Sequence, residues 1–373
     1  MKKLNIKNIL HLVTCLIFLG FIGIFTLTNL FAEKKSFSEN ENRVLTEFPS
    51  ASFSNIFFGS FDTEFESWFS DHFIGRDGWI RTKASFLKTI GAIENNTVYF
   101  ARDHRLIQQF IDYDEKLVES NISYINEFAQ ENGLKLNIML VPGASQGEKK
   151  YLPLMAGGVD EAKLISKIGE SFKDQNYIDV CGKLGTGENN YFRTDHHWNH
   201  LGAFDGYTAI CQSVLNKEPA DFFYTKVADD FRGTMYSKSG AFWTKGDEIY
   251  RMDPEKPFTV HVTYEDGTES LSLFVDSRLQ EKDKYTYYLD GNHAHVSIKT
   301  DIPGNKKAVI IKDSFSHILI PYLCAEYSEL EIYDLRYYRE QISTSITDKE
   351  NTDIYVIYGL ETFCTDNSLA VLW

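Results

Sequence analysis

The chain has 373 residues, of which 43% are hydrophobic and 14% aromatic, including 28 Phe and 21 Tyr; that is enough apolar material for one large core or two smaller ones. Lys and Arg number 38 against 53 Asp and Glu, a formal charge of −15. A surface of that sign repels phosphate polymers, so no nucleic acid is expected as partner.

Lys2, Lys3 and Lys7 precede an apolar run from Ile9 to about Ala32, in which His11, Thr14, Thr26, Thr28 and Asn29 are the clearly polar members. A bilayer core is crossed by about 20 mainly apolar residues in a helix. The lysines ahead of the run place the N-terminus in the cytoplasm and the remainder outside. Leu30-Phe31-Ala32 is a poor cleavage site, and Leu12-Val13-Thr14-Cys15 is a poor lipoprotein site. Residues 1–32 are therefore predicted to be an uncleaved signal anchor, a single-pass transmembrane helix in the cell membrane. Residues 33–50, with Lys34, Lys35, Ser36, Ser38, Glu39 and Glu41, read as a polar tether, and residues 51–373 as an extracellular domain.

From Phe57 to Ile93 aromatic residues recur at helical spacing (Phe61, Phe65, Trp68, Phe69, Phe73), which predicts an amphipathic helix packed on the core. Asp71-His72 imitates an acid–base pair, but adjacent helical residues do not face each other. Leu136–Val141, Tyr177–Val180, Ala308–Ile311, Leu330–Asp334 and Asp353–Tyr358 read as short buried strands separated by helices. One of those helices is expected from Ser314 through about Glu326. This alternation predicts an α/β fold with a mainly parallel sheet flanked by helices and a site at the carboxyl ends of its strands. Residues from about 233 to 300 are rich in Tyr, Thr and Val, with turns at Asp266-Gly267 and Asp290-Gly291-Asn292. They read as a β-rich insertion covering one side of the site. Cys15 lies in the anchor; Cys181, Cys211, Cys324 and Cys364 are scattered, and buried free thiols are expected, with one disulfide left open for an exported chain.

Two stretches carry chemistry. Thr194-Asp195-His196-His197-Trp198-Asn199-His200 places an acid two residues before an imidazole, where the pair shares a face of an extended segment or meets in a tight turn. Lys312-Asp313-Ser314-Phe315 follows the apolar strand and sets a serine at the start of a helix. There a backbone N–H favours a developing oxyanion, although a serine in that position is also a good helix cap. A serine hydroxyl becomes nucleophilic only beside a base that is itself oriented by an acid. Ser314, His197 and Asp195 are the residues expected in those roles. Trp198 would wall the pocket, offer a face for a sugar, or simply pack. Asp195, His196, His197 and His200, with His293 and His295, could also ligate a metal, but no H-E-x-x-H motif supports this, and no metal or other cofactor is expected.

Thr194-Asp195-His196-His197-Trp198 resembles the signature of the DHHW family of bacterial exported proteins, which is similar to the alginate O-acetyltransferase group and to SGNH hydrolases. Further blocks agree: Glu41-Asn42-Arg43-Val44-Leu45, Asp71-His72-Phe73 to Arg76, Val98-Tyr99-Phe100 before Arg102-Asp103, Asp313-Ser314-Phe315, Pro321-Tyr322-Leu323, and Asp334 to Tyr338. The resemblance implies an SGNH hydrolase-like domain with Ser314 as nucleophile, His197 as base and Asp195 as its orienter. It also implies a place for Arg336 at the site, against the alternative of a salt bridge with Asp334 or a neighbouring acid. Lys312 stands where the G-D-S block has glycine. Pro142-Gly143-Ala144-Ser145 is the expected source of a second oxyanion donor, with Ser145 also touching substrate.

The implied activity is an extracytoplasmic O-acetyltransferase that acts on a cell-surface polysaccharide through a serine acyl-enzyme. A membrane-bound O-acyltransferase would be its acetyl donor, and the N-terminal helix would tie it to the membrane. Two alternatives stand beside it: a carbohydrate acetyl esterase with the same triad, and a non-catalytic polysaccharide-binding or assembly protein.

Overall fold

The computed structural model describes residues 6–32, 34–38, 43–186, 189–346 and 348–372. Glu41 and Asn42 of the family block lie outside the described residues. The chain divides into two compact units, residues 1–86 and residues 87–373. The unit that carries the large sheet begins at Leu87.

In the first unit, α1 (Ile6–Phe31) contains a 21-residue stretch, Ile9–Asn29, of mean hydropathy 2.4, long and apolar enough to cross a membrane. The next segment pairs β1 (Phe37–Ser38) antiparallel with β2 (Arg43–Val44). The single helix expected over 57–93 is instead three: α2 (Phe53–Phe58), α3 (Phe61–Asp71) and α4 (Arg76–Thr89). Gly75, at φ +68°, takes the left-handed conformation that separates the last two. The expected packing of the aromatic face on a core is also absent, since α3 buries no residue. Its rings meet one another instead: Phe61 stacks on Phe65 at 6.1 Å, and Phe69 meets Phe73, in the following turn, edge-on at 5.6 Å. Asp71 accepts hydrogen bonds from the Thr46 amide and hydroxyl, both at 2.9 Å, while the His72 ring is held between the carbonyls of Trp68 and Lys35. That pair is scaffolding.

The second unit opens with a small antiparallel sheet, β3 (Glu94–Asn95), β4 (Val98–Phe100) and β5 (Leu106–Gln108), then α5 (Glu115–Asn132), capped by Asp114 and ended by Gly133 at φ +59°. The main strands are β6 (Leu136–Val141) and β7 (Asn176–Tyr177), with α6 (Ala144–Gly147) and α7 (Glu161–Gly169) between them. After α8 (Cys181–Thr186) and α9 (His200–Ile210) come β8 (Phe222–Phe231) and β9 (Asp247–Pro254), a two-stranded ribbon. β10 (Val260–Tyr264), β11 (Glu269–Ser270), β12 (His295–Thr300), β13 (Lys307–Lys312), β14 (Glu329–Tyr333) and β15 (Thr352–Gly359) complete the set. The eight-stranded sheet has the order β11-β10-β12-β14-β13-β15-β6-β7. From β14 to β7 all neighbours are parallel; β12, β10 and β11 extend one edge antiparallel. The predicted β-rich segment therefore begins earlier, at Phe222, and half of it is sheet edge rather than a separate layer.

Both faces of the central strands are covered. Along β13, Ala308 and Ile310 enter one core with Met139, Tyr355 and Tyr207, whereas Val309 and Ile311 enter the other with Ile138, Val356, Ile125 and Ile165. That alternation explains why the strand reads as a continuous apolar run. The parallel pairing of β13, β15 and β6 aligns their carboxyl ends, at Lys312, Gly359 and Val141. The helix expected through Glu326 is reduced to a 3-10 turn, Ser314–Ser316, and a short helix at Ile320–Leu323. Pro321 cannot donate to a preceding helical turn and restarts the chain there.

Candidate active site

β13 delivers Ser314 to the carboxyl edge of the sheet. The residue that caps the following turn is Asp313, whose Oδ1 accepts the Phe315 amide at 3.0 Å and whose Oδ2 accepts the Gly359 amide at 2.9 Å. This ties the ends of β13 and β15 together. A Cβ at Gly359 would sit 2.7 Å from the Phe315 ring, so only glycine allows the approach. Since Asp313 does the capping, the Ser314 hydroxyl is left for other use. The first amides of such a turn have no intrahelical acceptor and face outward.

The histidine segment forms a closed loop. Tyr191 and Trp198 bridge antiparallel, the Asn199 amide donates to Asn190 O at 2.9 Å, and the Asn199 side chain caps α9 at Leu201 and Gly202. Inside that loop Asp195 Oδ1 accepts the His197 amide at 3.1 Å and lies 2.5 Å from its Nδ1; His197 Nε2 lies 2.9 Å from Ser314 Oγ. The structure thus brings Ser314, His197 and Asp195 into one hydrogen-bonded chain across 117 residues of sequence. Asp195 and His197 are buried, and Ser314 is partly accessible.

Three supports lay hidden in the sequence. Asp195 Oδ2 accepts the Thr234 amide at 2.8 Å and its hydroxyl at 3.0 Å. Asp247 accepts the amides of Arg193 and Thr194 at 2.7 and 2.8 Å and the Thr194 hydroxyl at 2.6 Å, fixing the loop from behind. The Tyr285 ring lies flat on His197, with centroids 3.9 Å apart and planes 8° off parallel, and its hydroxyl donates to Ser314 O at 2.8 Å. Thr234 and Tyr285 come from the predicted covering insertion; alternation patterns identify strands there but give no sign of these contacts.

Burial alone would raise the Asp195 carboxyl. The positive potential of His196 and His197 and the hydrogen bonds from His197 and Thr234 outweigh it and hold the group well below the usual carboxylate range. His196 is lowered to about 4, first by burial and then by His197. The arrangement can orient one imidazole tautomer, accept the Ser314 proton at Nε2 and stabilise the resulting imidazolium.

The other expected site residues lie as follows. Trp198 is fully buried; its indole donates to Phe315 O at 2.7 Å and packs against Gly206, so no face is open to a sugar. Arg336 forms a bidentate pair with Asp334, at 2.9 and 2.6 Å, and also reaches Asn292. Asp334 in turn takes the buried Lys312 ammonium at 3.2 Å, and that ammonium meets His317 Nε2 at 2.8 Å. The salt-bridge alternative is therefore realised, while the Arg336 charge still acts on Asp313 and His196. Ser145 donates its hydroxyl to Glu161, and the Gly143 amide donates to the same carboxylate at 2.7 Å. Within the segment expected to supply an oxyanion donor, the Gly143 amide is thereby engaged. Ser145 and Glu161 line a pocket of about 310 Å³ that also borders His196, Thr234 and Phe315, next to the relay.

Ligand atoms of Asp195, His196 and His197 lie within 4.8 Å of one another. Both His197 nitrogens are engaged in the chain just described, and His196 Nδ1 pairs with Thr234 Oγ1 at 2.8 Å. His200 packs on Tyr224 and Tyr250, while His293 and His295 pair with Glu265 and Glu331, so the wider ligand set does not assemble. Cys15, Cys181, Cys211, Cys324 and Cys364 are free thiols, the last three buried.

A mainly parallel sheet with an acid, imidazole and hydroxyl aligned at its carboxyl edge defines a mixed α/β domain. The sequence resemblance to the DHHW family stands with it: the sequence model of that family, described as DHHW protein, matches residues 164–333. A DHHW family protein from Eubacterium siraeum superposes with a TM-score of 0.65 at 22% identity, covering 75% of this chain and 96% of that one. Bacillus cereus PatB1, in a structure with a sulfonyl adduct, gives 0.59 at 20% identity, covering 73% and 97%. The O-acetyltransferase domain of Pseudomonas putida AlgJ gives 0.48 at 13% identity, covering 74% and 98%. At these identities the first two likenesses are of fold. No curated protein matches the chain significantly.

Proposed function

We propose that this chain is an extracytoplasmic O-acetyltransferase that esterifies hydroxyls of a cell-surface polysaccharide. The observation that carries the reading is the Ser314–His197–Asp195 chain, with an accessible hydroxyl 2.9 Å from a buried, acid-oriented imidazole. In the first half-reaction Ser314 Oγ attacks the donor's acetyl carbonyl as His197 Nε2 takes its proton. The tetrahedral intermediate collapses, the donor oxygen leaves with that proton, and an acetyl ester remains on Ser314. In the second half-reaction a sugar hydroxyl gives its proton to His197, attacks the ester and restores the serine. The Ser314 amide, at the first position of its turn, is the nearest source of oxyanion stabilisation.

Acetyl as the group and polysaccharide as the acceptor come from the resemblance to the alginate O-acetyltransferase group. The anchor helix places the domain beside a membrane-bound O-acyltransferase, which hands acetyl across the membrane, and raises its local concentration there. PatB1 has been captured with a sulfonyl adduct; a sulfonyl fluoride is accordingly the probe for this chain. Mass spectrometry after treatment with a sulfonyl fluoride or an activated acetyl ester is expected to map the adduct to Ser314 and to lose it in Ser314→Ala, with the fold unchanged. An adduct elsewhere, or turnover retained in Ser314→Ala, would falsify the assignment. Acetyl release to water at the same rate with and without an oligosaccharide acceptor, and no acetylated sugar, would make the protein an esterase. A failure to acylate at all would favour a binding protein.

A further inference from the structure

We infer that the aromatic helices of the first unit lie in the headgroup–acyl boundary of the bilayer, as a collar around the outer end of the anchor. This rests on reading α1 as a membrane span and goes beyond it, because a span alone predicts nothing about residues 53–86.

The 21 residues Ile9–Asn29 measure about 31 Å, the thickness of a hydrocarbon core. Phe25 sits four residues, about 6 Å, inside the outer end. It stacks on Phe73 at 5.9 Å with planes 3° apart, and meets Trp79 at 6.2 Å. At the end of the span the Asn29 side chain accepts the Ile74 amide at 3.0 Å, and its carbonyl accepts the Lys34 ammonium at 2.7 Å. That ammonium also lies over the Trp68 ring. The turn between α3 and α4 is therefore fixed at the depth of the last two turns of the span.

From that point two apolar rows run outward without cover. On α3 it is Phe65 and Phe69, both exposed, four residues apart and in line with half-buried Phe61; on α4 it is Trp79, 49% exposed, and Phe86, 63% exposed, seven residues apart on one face. Phe53 and Phe57 of α2 are exposed as well. An aqueous surface gains nothing from such a patch. Tryptophan and phenylalanine beside an ammonium, at the rim of a span, are the residues that partition into a lipid interface. Continuity with the span selects lipid over a protein as the occupant.

The test uses the full chain in phosphatidylcholine–phosphatidylglycerol vesicles whose acyl chains are brominated near the headgroup or near the chain end. Shallow bromine is expected to quench tryptophan emission more than deep bromine. The quenched fraction should fall in Trp79→Phe, a change that keeps an aromatic ring and leaves the circular dichroism unchanged. Emission indifferent to bromine, with the protein still floating with the vesicles, overturns the collar and leaves the anchor standing; the face then belongs to water or to a protein. Loss of flotation overturns both.

Discussion

The convergence of Ser314, His197 and Asp195 could be expected because each stands in a short pattern whose geometry is local: acid and base two residues apart, serine at the end of a buried strand. Thr234, Asp247 and Tyr285 could not, because their roles exist only once distant loops converge. Trp198 shows the opposite error. A tryptophan beside a reactive histidine suggests a substrate wall, yet glycine at 206 gives the indole a seat in the core. The consequence for Asp195 is testable. In Asp195→Asn the side-chain amide can donate to Nδ1 and stabilise the wrong imidazole tautomer, while the Thr234 bonds keep the loop in place. A kcat loss on the order of 10⁴-fold, with little change in melting temperature, is the expected outcome; steady-state kinetics with an acetyl ester check it.

Among the elements, β6, β13 and β15 were read within a residue or two, since burial on both faces leaves a mainly apolar run; β14, which alternates Glu329 and Glu331 with buried Leu330 and Ile332, was read as closely. β8 escaped because Phe223, Tyr224, Thr225 and Lys226 are exposed in succession, which breaks the alternation expected of a half-buried strand, although Phe231 at its end is in the core. The helices of the first unit were misjudged because helical spacing of aromatic rings does not say whether core, neighbouring ring or lipid covers them. Between β8 and α10 (Thr234–Ser239) the chain must pass directly against the acid of the relay. A Cβ at Gly233 would overlap the Asp195 carboxylate. In Gly233→Ala the carboxylate must turn away from His197 or the segment must retreat, at a cost of about 1–3 kcal/mol. Both a lower melting temperature and a lower kcat are expected, and a native kcat would show that the segment yields without disturbing the acid.

Over the whole molecule, buried groups titrate in opposite senses. Burial raises Glu148 to about 7, so folding is favoured as pH falls through the range in which only the folded state binds that proton. Burial lowers His200 to about 4, against an unfolded value near 6.5. Between those two values the unfolded chain binds the proton and the fold does not, so His200 costs stability as pH falls from about 6.5 to 4. The total profile mixes both signs, and a variant isolates one. In His200→Gln the melting temperature relative to the parent is expected to rise as pH is lowered from 7 to 4.5; a constant difference across that range would exclude a buried neutral imidazole.

The phenol ring lying flat on His197 has a consequence for traffic through the centre. A covered imidazole has no room to swing between two stations, so it must release each proton where it received it. In the proposed transfer, departing donor and arriving acceptor are thereby compelled to use one berth in succession, and neither can wait inside while the other is served.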